Sequence, residues 1–453
     1  MLLLSVVGPL LATADARADG AFPDSLSILT PDQLPNETLL ATNFGLVMSF
    51  DHDQTWIWSC EQPLNSFGTL YQVGPAPLNR IYAVSPGGFI YTDDSSCTWT
   101  AAAGIPAAAA QDAFVDPSNP NRVLAVVTSS VDGGASTYSV MESANAGTSF
   151  AQVRYTAAAG DHITGVEISR SNPQTVYLTL TSGTAYTPKI AVTTNGGANW
   201  TLHDLSASLA GTYSIRLVAV DPTNPQKLVL RTGGSAGEAL SISLDGGATA
   251  SSPLTFAGGV FTAYARLPSG SMIAGGVVGT TDVAYRSVDL GVSFQPLPAV
   301  PFTFRGMSAR GTKLYAALDN AADTYAIETS VDEGMTWQPL MRFDQDIQAI
   351  QTCVMAVCQT DCNTRAGTGL FSEDICQAAV MPDPIDAGHD AVPAGPDAAA
   401  SGHDAGGSKD ASTAATSSGG GCGHCDLAPG RAAAPWSWLV LLAGAITLAR
   451  RRR

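Results

Sequence analysis

An eight-residue pattern recurs seven times along the chain at a nearly constant interval. It runs Ser or Thr, any residue, Asp or Asn, any residue, Gly, any residue, Ser or Thr, then an aromatic, with some positions degenerate. The copies are SFDHDQTW (Ser49, Asp51, Trp56), TDDSSCTW (Thr92, Asp94, Trp99), SANAGTSF (Ser143, Asn145, Phe150) and TTNGGANW (Thr193, Asn195, Trp200). They continue as SLDGGATA (Ser243, Asp245), SVDLGVSF (Ser287, Asp289, Phe294) and SVDEGMTW (Ser330, Asp332, Trp337). Their starts are 43, 51, 50, 50, 44 and 43 residues apart. A regular beat of this length requires a repeated supersecondary unit that buries its apolar face against its neighbours.

The residue types explain the unit. The Asp or Asn side chain accepts from backbone amides two residues on, closing an Asx-type turn. Gly supplies a positive φ, and the aromatic opens the next strand with a large apolar face. Around the fifth octet, strands are expected at Ser214–Val220, at Lys227–Arg231 (stopping before Gly233-Gly234) and at Ala239–Leu244. A turn at Asp221-Pro222-Thr223-Asn224-Pro225 separates the first two. Asp116-Pro117-Ser118-Asn119-Pro120 and Ser171-Asn172-Pro173 echo it. Four short strands per repeat make an all-β propeller. A decayed octet at Ser372-Glu373-Asp374, 42 residues after Ser330, favours eight four-stranded blades, with seven as the alternative.

The octets resemble the Asp-box (BNR) repeats of sialidases, sortilin-type receptor propellers and xyloglucanase-like glycosidases, over roughly residues 25–378. The resemblance is specific for fold and weak for activity. In such a propeller the octets join third to fourth strands, so their Asp and Asn residues are structural and bind no metal. The opposite face carries the candidate polar residues Asp132, Asp161, His162, His203, Asp204, Glu238, Asp319, Asp344 and Asp346. A sialidase needs three arginines, a Tyr nucleophile with a partner Glu, and an acid/base Asp. Arg216 and Arg305 lie on first strands, a third partner is not evident, and Asn79-Arg80-Ile81-Tyr82 only partly echoes the family's Phe-Arg-Ile-Pro signature. A xyloglucanase-like groove needs opposed carboxylates among aromatics, which are sparse on these loops. Opposed carboxylates in a concave face would favour an enzyme, and a shallow neutral face would favour binding. The expectation is a non-catalytic binding module for protein or polysaccharide, without a cofactor. A glycoside hydrolase with an unrecognised site is the alternative.

The ends carry addressing signals. Leu2–Ala12 is apolar and Ala16-Arg17-Ala18 offers a cleavage site, so residues 1–18 read as a signal peptide. Eight cysteines suit an oxidising destination. Four crowd into 353–376 with three possible pairings, leaving Cys60 and Cys97 as an early bridge. Residues 381–421 lack large apolar side chains and read as a flexible linker. A tail over 422–453 follows, with an apolar helix expected over 435–449 and four terminal arginines. It resembles the myxobacterial C-terminal sorting tail. That resemblance implies processing near Gly421-Cys422 by a membrane sorting protease and a place at the cell surface. A net charge of −17 argues against nucleic acid as a partner.

Overall fold

Each repeat folds into a small antiparallel sheet whose four strands follow one another in the chain, and seven such sheets form the propeller. The computed structural model describes residues 24–64, 70–85, 87–129, 136–370 and 372–376. The N-terminal leader with its Ala18 cleavage site, Asp132, the linker 381–421, Gly421, Cys422 and the 435–449 stretch lie outside the described residues.

The first strand of each blade is innermost. In order, these strands are Ser25–Leu29, Leu70–Val73, Ala110–Val115, Asp161–Ile168, Thr212–Val220, Val260–Arg266 and Phe304–Arg310. The octets join third to fourth strands, and the Asp116–Pro120 and Asp221–Pro225 turns join first to second, so both kinds of turn lie on one face. In blade 5 the second strand runs on through Leu228–Gly234, because both glycines pair with the strands on either side. The third strand there is Gly237–Ser243.

Apolar burial between blades holds the ring together. Leu124, Val126 and Val140 of blade 3 pack with Ile163, Leu178 and Ala191 of blade 4. Val229, Leu240, Ile242 and Phe256 of blade 5 pack with Phe261, Met272 and Ala274 of blade 6. Removal of this area from water, at ~25 cal/mol per Å2, is what makes neighbours mandatory for each sheet. Inner strands are also stitched by side chains. Gln72 Nε2 donates to Ala113 O at 2.7 Å and Gln72 Oε1 accepts from Val115 N at 2.9 Å. Asp112 accepts from Val166 N at 3.0 Å, and Glu167 accepts from Val220 N at 2.7 Å. Each link joins one blade to the next where the channel would otherwise expose a backbone N–H.

The count is seven, not eight. The interval after Ser330 holds the outer strand Gln338–Met341, a strand Ile347–Ile350, and a helix Met355–Gly367. Ser372-Glu373-Asp374 therefore has no preceding strands to turn from. Glu373–Cys376 is instead one turn of 3-10 helix. Strand Ile347–Ile350 joins blade 1 as a fifth, parallel strand outside Trp56–Ser59.

Cysteine pairing also differs from expectation. Cys60 and Cys97 do not bond each other. Cys60 joins Cys358, Cys97 joins Cys353, and Cys362 joins Cys376. Cys60 directly follows the strand Trp56–Ser59 of blade 1 and Cys97 lies in the octet of blade 2, and both meet the C-terminal segment. Three-dimensional proximity, across 298 and 256 residues of chain, decides the pairs.

Candidate functional site

The octet turns share one hydrogen-bond scheme. The first hydroxyl donates to the third residue's side-chain oxygen at 2.6–2.9 Å. The same hydroxyl accepts the fifth residue's N–H at 2.8–3.2 Å. The third residue accepts the seventh residue's N–H at 2.9–3.0 Å, four residues on rather than the two expected. Two consecutive residues have positive φ, the fourth at 53–70° and the fifth at 68–93°. Hydrogen bonds from Ser293 and Ser287 hold the Asp289 carboxyl down at about 2. These side chains are consumed by their own turns.

The octet aromatics pack inward to different depths. Trp56 and Phe150 are buried, and Phe150 meets Phe89 of blade 2 edge-on at 5.1 Å. Trp200 contacts Tyr155 of blade 3 at 5.1 Å, and Trp99 lies 6.4 Å from Tyr71. Trp337 packs on Phe302 and Phe304, and Phe294 is half-buried beside the blade 5–6 core. Ala250 replaces the aromatic in blade 5, where Ile190, Leu205 and Leu209 share its core.

Most opposite-face candidates are tied into local structure. Asp161 is buried 3.5 Å from Lys189, and His162 Nδ1 lies 3.2 Å from the Tyr138 hydroxyl. Asp204 accepts from Ser206 N at 2.8 Å, and its neighbour His203 is on the outer strand of blade 4. Asp344 pairs with Arg342, and Asp346 accepts Arg342 N. Arg80 is bound to Asp93 and to Ala146 O, which makes the partial sialidase echo structural.

Arg216 and Arg305 do converge, and they bring a third arginine. A chamber of about 610 Å3 on the axis is lined by Arg216, Arg231, Arg305, Gln111, Thr262 and Tyr264, with apolar residues of several inner strands. Arg231 lies on the second strand of blade 5, directly across from Arg216. No Asp or Glu is among the described residues lining it. The countercharges stand behind the wall. Arg216 Nη2 is 3.0 Å from Asp112, whose carboxyl burial pushes up despite that guanidinium. Arg231 forms a two-pronged pair with Glu238 at 2.7 and 2.9 Å. Arg305 bridges Asp24 at 2.8 Å and Asp319 at 2.9 Å. Fixed in this way, the guanidiniums keep 35–47% of their side chains exposed. Such preset donors suit an anion, since little rotamer freedom remains to be lost on binding.

No family model and no curated protein matches the chain. Among solved structures, the Niastella koreensis GH74 enzyme aligns with 13% identity over 71% of this chain and 66% of its own, with a TM-score of 0.40. This chain therefore spans just under two thirds of that enzyme. YCF48 from Cyanidioschyzon merolae aligns with 14% identity over 67% of this chain and 94% of its own, at a TM-score of 0.45. YCF48 bound to D1 peptide aligns with 16% identity over 51% and 67%, at 0.35. The propeller itself is read from the strand order, not from these distant likenesses.

Sequence reasoning missed Arg231 and Tyr264. Register across the Asp221–Pro225 turn was the available signal for Arg231, but a bulge between Leu217 and Ala219 shifts the pairing. Tyr264 sits on an inner strand that no octet marks. Among the described residues no cluster of His, Cys, Asp and Glu has the arrangement to hold a metal, and no helix is long and apolar enough to cross a membrane.

Proposed function

We propose that the protein is a non-catalytic binding propeller that receives an anionic group of a protein or polysaccharide ligand in the axial chamber. The observation that carries this is three arginines, and no carboxylate, on the wall of one chamber in a chain of net charge −17. Excess negative charge elsewhere repels polyanions in general, so the chamber selects by local geometry. The seven turn schemes support reading the octets as Asp boxes. The three disulfides support an oxidising location. With the Leu2–Ala12 leader and the arginine-ended tail, we place the protein at the cell envelope, handed there by a sorting protease acting near Gly421-Cys422 and held at the membrane through that tail.

A second reading, a sialidase-like glycosidase, draws on Tyr264 sharing the chamber with the three arginines. The Tyr264 hydroxyl, however, has no hydrogen-bond partner to take its proton. A xyloglucanase-like reaction lacks its two opposed carboxylates in the chamber wall.

The test is calorimetric titration of the full chain with a galacturonic-acid oligosaccharide and with a Glu-rich peptide, each beside its uncharged counterpart. One charged probe should bind, weaken several-fold between about 50 and about 300 mM salt, and be recovered uncleaved. Equal binding of charged and uncharged probes, or cleavage of the oligosaccharide, would overturn the proposal.

A further inference from the structure

The octet scheme uses the first, third, fifth and seventh residues for hydrogen bonds and the eighth for packing. Side chains at the second, fourth and sixth positions take no part in it. In blades 5 to 7 those positions hold Leu244, Val288, Leu290, Val292, Val331 and Met335, each between 47% and 74% exposed. The same positions of the first four octets hold no exposed large apolar side chain among the described residues.

The three octets adjoin. A Cβ at Gly291 of the blade 6 octet would stand 3.1 Å from Ile242 Cδ1, two residues ahead of Leu244. The turn 268–271 of blade 6 carries the surface onward. Leu290 Cδ2 would lie 3.2 Å from a Cβ at Gly270, and the Ser269 and Ser271 hydroxyls donate to Glu333 at 3.3 and 3.1 Å. Leu244, Val288 and Val331 occupy the same octet position, so the common turn geometry sets them in one row across three blades. An apolar surface that the fold does not use, continuous over neighbouring blades, marks a contact surface.

Charge chooses the partner. Asp245 and Asp289 are exposed among these side chains, and Asp332 is half-buried. Their hydrogen bonding is spent on the turns, but their charge is not: the Asp289 carboxyl, held down at about 2, is ionised at pH 7. Cations on the neighbouring strands and turns are already matched. Arg286 pairs with Glu333, Lys227 and Arg266 with Asp221, and Lys313 with Asp53. A second copy set face to face would oppose carboxylate to carboxylate, and an anionic lipid surface would be repelled in the same way.

We propose that the octet arc of blades 5 to 7 is a docking surface for a cationic amphipathic polypeptide segment. Its apolar side chains would cover the row Leu244, Val288 and Val331, and its Lys and Arg side chains would meet Asp245, Asp289 and Asp332. The surface does not depend on the function proposed for the arginine chamber, which takes the opposite charge.

The probe is a synthetic helical peptide of leucine and lysine with its leucines along one face, titrated into the full chain by fluorescence anisotropy. Beside it runs a peptide with glutamate in place of every lysine. The lysine peptide should bind, and weaken several-fold between about 50 and about 300 mM salt. Its affinity should fall roughly tenfold or more in Val288→Ser/Val292→Ser/Val331→Ser. These side chains stand on exposed turns, so the variant should melt with the parent. Leu290→Asn, at a φ of 61° that asparagine tolerates, is a second folded variant and should also bind more weakly. Val153→Ser/Leu202→Ser removes exposed apolar side chains from the outer strands of blades 3 and 4 and should bind like the parent. No binding up to about 1 mM peptide, undiminished affinity in both octet variants, or equal binding of the glutamate peptide would overturn the proposal. So would sedimentation in which the parent self-associates and the triple variant does not, since a second copy would then be the occupant.

Discussion

Asp53 and Ser96 occupy the glycine position of the first two octets, at φ 68° and 74°. Their side chains have been put to other use. The Asp53 carboxylate accepts from the Thr38 hydroxyl at 2.5 Å and from the Tyr315 hydroxyl at 2.8 Å, and lies 3.4 Å from Lys313 Nζ. It thereby ties blade 1 to blade 7. The Ser96 hydroxyl donates to the Ser59 hydroxyl at 2.9 Å and accepts from Trp99 Nε1, tying blade 2 to blade 1. Magnitudes decide what restoring the glycine would do at Asp53. Relief of the left-handed backbone is worth about 1–2 kcal/mol, while each hydrogen bond to a charged group is worth about 1.5–3 kcal/mol. Asp53→Gly should therefore destabilise by about 2 kcal/mol or more, measured by urea denaturation; a more stable variant would refute the stitching role. Glu167 gives a pH signature of the opposite kind from the octet carboxylates. Its folded carboxyl keeps a proton to about 8, against an ordinary 4.5, so the unfolded chain is the better acid. Its contribution to stability is thus lost as pH climbs from about 4.5 to about 8. Glu167→Gln, which retains a carbonyl acceptor for Val220 N, should flatten that decline in melting curves taken across the window. An unchanged slope would mean that Glu167 ionises as an ordinary carboxyl.

The C-terminal segment does for this propeller what a shared blade does in other closed rings. All four sequential strands of blade 1 come from the N-terminal side, so blades 7 and 1 meet only through side chains and backbone contacts. Among these are the Thr30–Ser308 hydroxyl pair at 2.6 Å and the Arg310 hydrogen bonds to Glu37 O and Thr38. Strand Ile347–Ile350 and helix Met355–Gly367 then fasten back onto blades 1 and 2 through Cys60–Cys358 and Cys97–Cys353. With the first bond in place, the second still closes a loop of some forty residues. Chain-entropy reasoning then assigns it roughly 2–4 kcal/mol. Cys97→Ser/Cys353→Ser should lose about that much stability in denaturant; no loss would mean the strand pairing alone secures the segment. The sequence showed the octets because each is local, complete within eight residues. Pairings spanning more than 250 residues leave no local trace, which is why Cys60 and Cys97 read as a bridge to each other. The false eighth blade has the same origin. Ser372-Glu373-Asp374 keeps the interval, but the four strands that would define a blade are absent from the described residues before it.

At the scale of the whole molecule, regular repeats build an irregular axis. The octet face keeps one geometry from blade to blade, whereas the axial chamber draws its arginines from blades 5 and 7 alone. Arg216 and Arg305 could be assigned to inner strands from the repeat, but their convergence with Arg231 depends on ring closure and on one bulge. The sequence set opposed carboxylates against a shallow neutral face; the wall of this chamber presents three guanidiniums, each paired with a carboxylate behind it. Its central role is tested most directly by titrating whichever acidic probe binds the parent chain into the variant Arg231→Gln/Glu238→Gln. That variant removes one guanidinium without leaving its carboxylate unpaired. Affinity should fall roughly tenfold or more, with an unchanged melting temperature. Undiminished affinity in the folded variant would contradict the chamber as the ligand site.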